Sequence, residues 1–414
     1  MFYRVGRFLL NHQTILVVYI IIAIAASVQL ISTGKHTTRI SVAPNSKDII
    51  LNRQTIKLFE GKRYTDYNNY IVFKNSFFHL IKGKDLYTIY PEEQWDLYKY
   101  SPAFALFIGT IAWLPDFPGL TIWNLLNALT LLFAINMLPV NNKTRSLISW
   151  FVLIELLTCM QNAQSNGLIA GLMIAAYANM YNGRIRIATL LILLAAFIKP
   201  YAAIGCCLFL FYPGKFKFII YSMFWCIILL CIPLLVTPLS ALLAQYKSWF
   251  VQMGADQSAS YGLSVMGWLH SWFGLDSIKT YVMLFGLVLF IIPLFRWSLY
   301  RNNVYRMCIL ASMLVWVIIF NHKAESPTFI IAVTGAAIWY FSTEHTPWRT
   351  ALLWLVFIGT CLSPTDIFPP SIKQHFFKPY VIKAIPCIII WIAMTMDLLT
   401  MKNDNINKAG YALK

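Results

Sequence analysis

The chain has 414 residues, of which 59% are apolar, 16% aromatic and only 12% charged, about half the charged share of a soluble globular domain. So few charges cannot cover a water-exposed surface, which excludes a soluble enzyme or binding module. The formal charge of +17 does not imply a nucleic-acid partner, because the basic residues sit at the ends of apolar runs and in one polar loop, as in membrane proteins.

The first apolar run, 14–33, follows Arg4 and Arg7 and lacks a small-x-small cleavage site. At about 20 residues it is long enough to cross a bilayer, and it is read as an uncleaved first span. The loop 34–118 follows, expected outside the cytoplasm with helices on the membrane surface. It carries Asp48, Glu60, Asp66, Asp85, Glu92, Glu93 and Asp96. Tyr70, Val72, Phe73, Phe77, Phe78, Leu80 and Ile81 recur at helical spacing and predict an amphipathic surface helix, which Gly83 ends. Asp66 just precedes that helix, where capping is the simplest role. Prolines 102, 115 and 118 bracket Ser101–Trp113, about 12 helical residues and too few to cross, so an interfacial or re-entrant helix is expected.

Further runs at 119–138, 146–160, 166–181, 185–198, 200–212, 216–236, 279–295, 307–321, 326–341, 347–362 and 378–396 bring the expected total to about 12 spans, within 11–13. With a cytoplasmic N-terminus, the clusters at Lys143/Arg145, Arg184/Arg186, Lys215/Lys217, Arg296/Arg301/Arg306 and Arg349 all fall inside, as does the tail 397–414. The paired runs around Lys199-Pro200 are read as two crossings, the rival being one long helix kinked at the proline. The outer side then gathers the first loop, Gln161–Asn166, Lys199, a second outer segment 237–278, Asn321–Ser326 and Ser363–Lys378. Polar residues that converge on one face define a site or a vestibule there. The expected fold class is an all-α polytopic membrane protein with a single domain over 1–396. It is placed in the plasma (inner) membrane, multi-pass, with both termini cytoplasmic and the site extracytoplasmic.

Gln161–Asn166 reads as a hydrated hairpin turn. Lys199 is a lone cation among apolar residues, which either snorkels or binds an anion. Asn321-His322-Lys323-Ala324-Glu325 offers two cations and a carboxylate, read either as a local Lys–Glu pair or as a phosphate-binding patch. All eight cysteines lie in or beside apolar runs and are read as free thiols packed as small apolar groups. No Walker loop, HExxH, CxxC pair, Gly-x-Ser-x-Gly or calcium loop occurs, and no metal or other cofactor is expected.

Seven short stretches in order carry a family likeness: Asp66-Tyr67-Asn68-Asn69-Tyr70, Gly83-Lys84-Asp85-Leu86-Tyr87, Tyr98-Lys99-Tyr100-Ser101-Pro102, Ala163-Gln164-Ser165-Asn166, Lys199-Pro200, Asp256-Gln257-Ser258 through Gly262 to Trp268, and Asn321–Pro327. Together they resemble glycosyltransferase family 87, the polyprenol-phosphate-mannose-dependent mannosyltransferase type within the GT-C class of membrane glycosyltransferases. Ala163 stands where the family has Gly, and Asn321-His322-Lys323 where it has a His pair. The resemblance implies a GT-C-like helical arrangement. It also implies transfer of a hexose, mannose in the family, from a polyprenyl-phosphate donor to a glycan or glycolipid acceptor, with inversion. On this reading Asp66 is the general base, and Lys199, His322 and Lys323 bind the donor phosphate. Tyr67, Tyr100, Gln164, Asn166, Gln257 and Glu325 then line the sugar or acceptor pocket. The competing readings are a transporter or flippase for lipid-linked sugars or other small solutes, and a non-catalytic scaffold or a polymerase or ligase with another site pattern.

Overall fold

The computed structural model describes residues 10–37, 48–51, 54–57, 63–256, 261–276 and 278–402. Helix α1 (His12–Ser32) opens at Asn11, whose side chain accepts the Gln13 N–H at 2.9 Å. This satisfies one of the first-turn donors that a helix leaves orphaned.

The loop 34–118 departs from an all-helical chain. Strand β1 (Lys35–Thr37) pairs antiparallel with β4 (Arg63–Thr65), and β2 (Asp48–Leu51) pairs with β3 (Gln54–Lys57). Strands of three or four residues carry too little alternation to be read from sequence. The β1–β4 ladder sets Lys35 opposite Thr65, so the loop returns to the end of α1 immediately before Asp66.

Helix α2 (Asn68–Ile81) is the expected amphipathic element, and Gly83 beyond its end takes the left-handed φ of +66° that stops such helices. Its apolar face packs against α3 (Pro102–Ala112), where a Cβ on Gly109 would lie 2.5 Å from the Phe77 ring carbon Cδ2. Ser101 caps α3 by accepting the Phe104 N–H, and Pro102 occupies its first position, where a missing N–H does no harm. At 11 residues, roughly 16 Å, α3 is too short to cross a bilayer.

Helix α4 (Asp116–Asn136) is followed by α5 (Asn142–Phe151) and α6 (Leu153–Gln161), so the expected run 146–160 is two helices broken at Val152. Then come α7 (Asn166–Tyr181) and α8 (Ile185–Ile198). After Lys199 the chain reverses into a 3₁₀ helix, Pro200–Phe211, and a Cβ on Gly205 would meet Ile192 of α8 at 3.5 Å. The two segments fold back on each other, which excludes one long kinked helix. The 3₁₀ rise of about 2.0 Å per residue stretches these 12 residues to roughly 24 Å, a third longer than an α-helix of the same length.

The rest is helical: α9 (Lys215–Cys231), α10 (Leu239–Asp256), α11 (Val265–Phe273), α12 (Lys279–Leu294), α13 (Asn303–Ile319), α14 (Phe329–Ser342), α15 (Pro347–Val356) and α16 (Ile385–Thr400). The last element starts later than the expected 378, because the chain before it winds irregularly and Val381 sits at φ +54°. That conformation is an outlier for a β-branched residue. Three helical stretches are long and apolar enough to cross a membrane, His12–Ser32, Asp116–Asn136 and Lys215–Leu235, and shorter apolar helices surround them.

The centre is the α13–α14 hairpin, whose residues are almost all buried. Glycines allow the close approaches. A Cβ on Gly335 would lie 2.6 Å from the Ala311 carbonyl oxygen, and one on Gly171 of α7 would lie 2.7 Å from the Thr130 carbonyl carbon of α4. Gly167 and Gly171 form a small-xxx-small pair, the usual device for bringing helix backbones together in a membrane.

Candidate active site

The turn between α6 and α7 is the hub. Ala163 is held at φ +49°, a left-handed conformation that favours glycine. Its carbonyl accepts the Trp123 indole N–H at 3.0 Å, which fixes the turn to α4. Gln164 and Asn166 follow, both buried. The Lys199 ammonium, at the α8 C-terminus, donates to Asn166 Oδ1 at 2.8 Å and to Gln164 Oε1 at 3.5 Å, and it lies 5.9 Å from the centre of the Tyr100 ring. Gln164 Nε2 reaches Glu325 Oε2 at 3.5 Å, and Asn166 Nδ2 donates to the Pro327 carbonyl at 3.0 Å. Four predicted residues, Tyr100, Gln164, Asn166 and Glu325, therefore gather around a fifth, the Lys199 cation.

The chemistry follows from what surrounds that cation. Among the described residues, the hydrogen-bond acceptors of Lys199 are amide oxygens, and no carboxylate pairs with it at contact distance. Burial lowers its pKa to about 8, while Glu325 pulls the other way. An ammonium held by neutral dipoles and half-shielded from water is a ready partner for an anion. Burial pushes the Tyr100 phenol well above its ordinary range, so it is a neutral wall.

The N-terminus of α2 abuts the same hub: Asn69 Nδ2 donates to the Asn162 carbonyl at 2.9 Å. Asp66 is exposed in the turn just before α2. The N-cap position falls to Tyr67, whose side chain makes no capping hydrogen bond. The cap position expected for Asp66 is thus shifted by one residue, because the chain turns into the helix later than the sequence suggests. The Tyr67 hydroxyl donates to Asp116 Oδ2 at 3.2 Å, and burial with Asp116 pushes its pKa up to about 12.

The loop holding His322 and Lys323 is docked by the segment 261–276. Leu263 N–H donates to the Ala324 carbonyl at 2.8 Å, and Gly262, at φ +58°, comes so close that a Cβ would lie 2.6 Å from the His322 carbonyl oxygen. Gln257 lies outside the described residues.

Several residues were missed from sequence. Asp116 accepts both Tyr67 and the Lys74 ammonium, the latter at 2.7 Å. Tyr201 donates to Asn166 Oδ1 at 3.4 Å. Helix α10 clamps the loop that carries Tyr100: Gln245 bonds Leu86 N–H and the Lys84 carbonyl, and Gln252 donates to the Tyr98 carbonyl. Glu155, fully buried in α6, takes the Lys383 ammonium at 2.7 Å, and Lys383 also reaches Ser326 at 2.9 Å. A lone carboxylate inside an apolar run was the available signal for that pair. Beside it opens a cavity of about 410 Å³ lined by Leu263, Ser326, Ser363, Lys373, Lys378 and Lys383. Among the described residues, no group of three His, Cys, Asp or Glu side chains is arranged to hold a metal ion.

At one turn of this largely helical protein, a lysine held by amide oxygens thus lies close to a carboxylate. Residues 98–320, more than half of the chain, match the sequence profile of glycosyltransferase family 87. The chain belongs to that family, as its motifs led one to expect. The matched stretch holds Tyr100, Gln164, Asn166 and Lys199, while Asp66 lies upstream of it and His322 and Glu325 just beyond. No curated protein matches the chain.

Proposed function

We propose that this glycosyltransferase moves a hexose, mannose by the family likeness, from a polyprenyl-phosphate donor to a glycan or glycolipid acceptor. The reaction takes place at the extracytoplasmic end of a bundle of about 12 spans, several of them short helices packed within the protein. The acceptor hydroxyl attacks the anomeric carbon and gives its proton to Asp66. The bond from that carbon to the phosphate oxygen breaks, and its electron pair leaves with polyprenyl phosphate. One displacement inverts the anomeric centre, and a phosphate leaving group needs little protonation, so one carboxylate suffices. Lys199, with His322 and Lys323 from the neighbouring loop, offsets the charge that develops on the leaving phosphate. Tyr100, Gln164, Asn166 and Glu325 line the sugar pocket, with Tyr67 and Gln257 toward the acceptor. The 410 Å³ cavity beside Lys383 gives a lipid-phosphate substrate room next to Ser326.

The observation that carries this reading is the Lys199 ammonium, held by the amide oxygens of Asn166 and Gln164 at the turn to which Asn69 ties the start of α2. The test is to incubate purified protein with polyprenyl-phosphate hexoses and a panel of glycan and glycolipid acceptors. Wild type is expected to form a glycosidic product of inverted configuration. Asp66→Asn should lower kcat by about 10²–10⁴-fold, the usual contribution of a positioned base, while donor binding persists. Undiminished transfer by Asp66→Ala would remove that residue from catalysis. Movement of lipid-linked sugar across vesicles with no bond formed would replace the whole reading with transport.

A further inference from the structure

A second basic site lies at the opposite end of the bundle from the Lys199 hub. Helix α7 begins at Asn166 in the hub and runs 16 residues to Tyr181, about 24 Å away. Helix α4 runs the same way over 21 residues, about 31 Å, from Asp116 to Asn136. At that far end, the chain after α4, the α7–α8 turn and the start of α13 enclose a cavity of about 800 Å³. Its polar wall is made of Arg145, Arg184, Arg301, Asn136, Asn182 and Asn303, and none of the described residues lining it is an acid.

The positive-inside rule accounts for arginines in loops at one end of a membrane protein. It does not account for three of them, one from the first turn of α5 and two from separate connections, facing one concavity with no carboxylate among them. Nor is the arrangement loose. The Arg145 guanidinium donates through Nε and Nη2 to the Leu138 carbonyl, at 3.1 and 2.8 Å, and through Nη1 to Asn142 Oδ1 at 3.2 Å. Its plane is thereby fixed with further N–H donors to spare. Arg184 and Arg301 are exposed at the rim. Planar guanidinium groups beside amide side chains match the several acceptor oxygens of a phosphate, and basic pockets between helices at a membrane surface hold anionic headgroups.

We propose that this cavity is a binding site for phosphate groups, distinct from the transferase site and about one bilayer thickness away from it, so that its ligand is not the transferred sugar's donor at the hub. The phosphate belongs either to an anionic lipid of the adjoining leaflet or to a soluble phosphoanhydride. Purified full-length protein in neutral detergent separates the two sources by native mass spectrometry, with cardiolipin, phosphatidylcholine and inorganic pyrophosphate as probes.

Retention of cardiolipin over phosphatidylcholine, weakened about 30-fold in Arg184→Gln/Arg301→Gln, supports the site with a lipid source. Retention of pyrophosphate, lost in the same variant, supports it with a soluble source. The control is Lys215→Gln/Lys217→Gln, which removes two charges at the same end of the bundle but outside the cavity, and it should bind as wild type does. Equal loss in both variants, equal retention of cardiolipin and phosphatidylcholine without pyrophosphate binding, or binding unchanged in Arg184→Gln/Arg301→Gln would each overturn the proposal. Both replaced arginines are exposed, and an unchanged melting temperature of the variant shows that it is folded when its binding is read.

Discussion

Taking the Lys199 ammonium half out of water is unfavourable, and the amide oxygens of Asn166 and Gln164 return only part of what hydration supplied. In the proposed reaction an incoming phosphate would supply the rest, so removal of the charge should be felt most when negative charge grows on the leaving group. Lys199→Gln is expected to lower kcat/KM by about 10²–10³-fold, the range for loss of one electrostatic stabiliser, with folding unaffected by thermal melting. The sign of the pH effect follows from the lowered pKa. The lysine is a cation below about pH 8 and loses its proton as pH rises through that value, so wild-type activity should fall on the alkaline side. Lys199→Arg keeps its charge, and any activity it retains should show no such fall. Ala163 gives a second prediction at this scale. It is fully buried at φ +49°, so Ala163→Val should destabilise the protein by about 1–3 kcal/mol, whereas Ala163→Gly should cause no loss, both read by thermal unfolding in detergent.

Helices approach as closely as their smallest residues permit, and the hub depends on α4 and α7 being in register. A Cβ at Gly171 meets Thr130 backbone at 2.7 Å, and backbone cannot swing aside as a side chain can. Gly171→Ala is therefore expected to lose about 1–3 kcal/mol and to impair transfer by displacing Asn166. Gly254→Ala is the control, since nothing among the described residues lies within 4 Å of a Cβ there and alanine favours the helix. The boundaries of α7 and α8 agree with the sequence reading to the residue, because Asn182-Gly183 and Lys199-Pro200 interrupt both pattern and backbone. Where no such punctuation exists, sequence reading failed. Val152 interrupts the run 146–160 without any breaker residue, and nothing in 378–384 besides Pro379 announces that α16 waits until Ile385.

At the scale of the molecule, the Glu155–Lys383 pair joins residues more than half the chain apart, and no local pattern could have matched them. Both partners are buried, so each is tolerated only because the other is present. Glu155→Gln or Lys383→Met alone is expected to destabilise by about 3–5 kcal/mol, and the double variant Glu155→Met/Lys383→Met by much less, measured as melting temperatures of the purified proteins. By itself the sequence determined the class. With 12% charged residues and repeated apolar runs only a membrane can serve as solvent, and the order of short motifs carried the family and most of the hub, since each motif is a local string. What the tertiary structure alone decided is which strings touch. It brought Tyr100, Gln164, Asn166, Lys199 and Glu325 to one turn, tied Tyr67 to Asp116, and gathered three arginines round a cavity at the other end. Such contacts depend on the packing of whole helices against one another, and periodicity along a chain holds no record of which neighbour a face will meet.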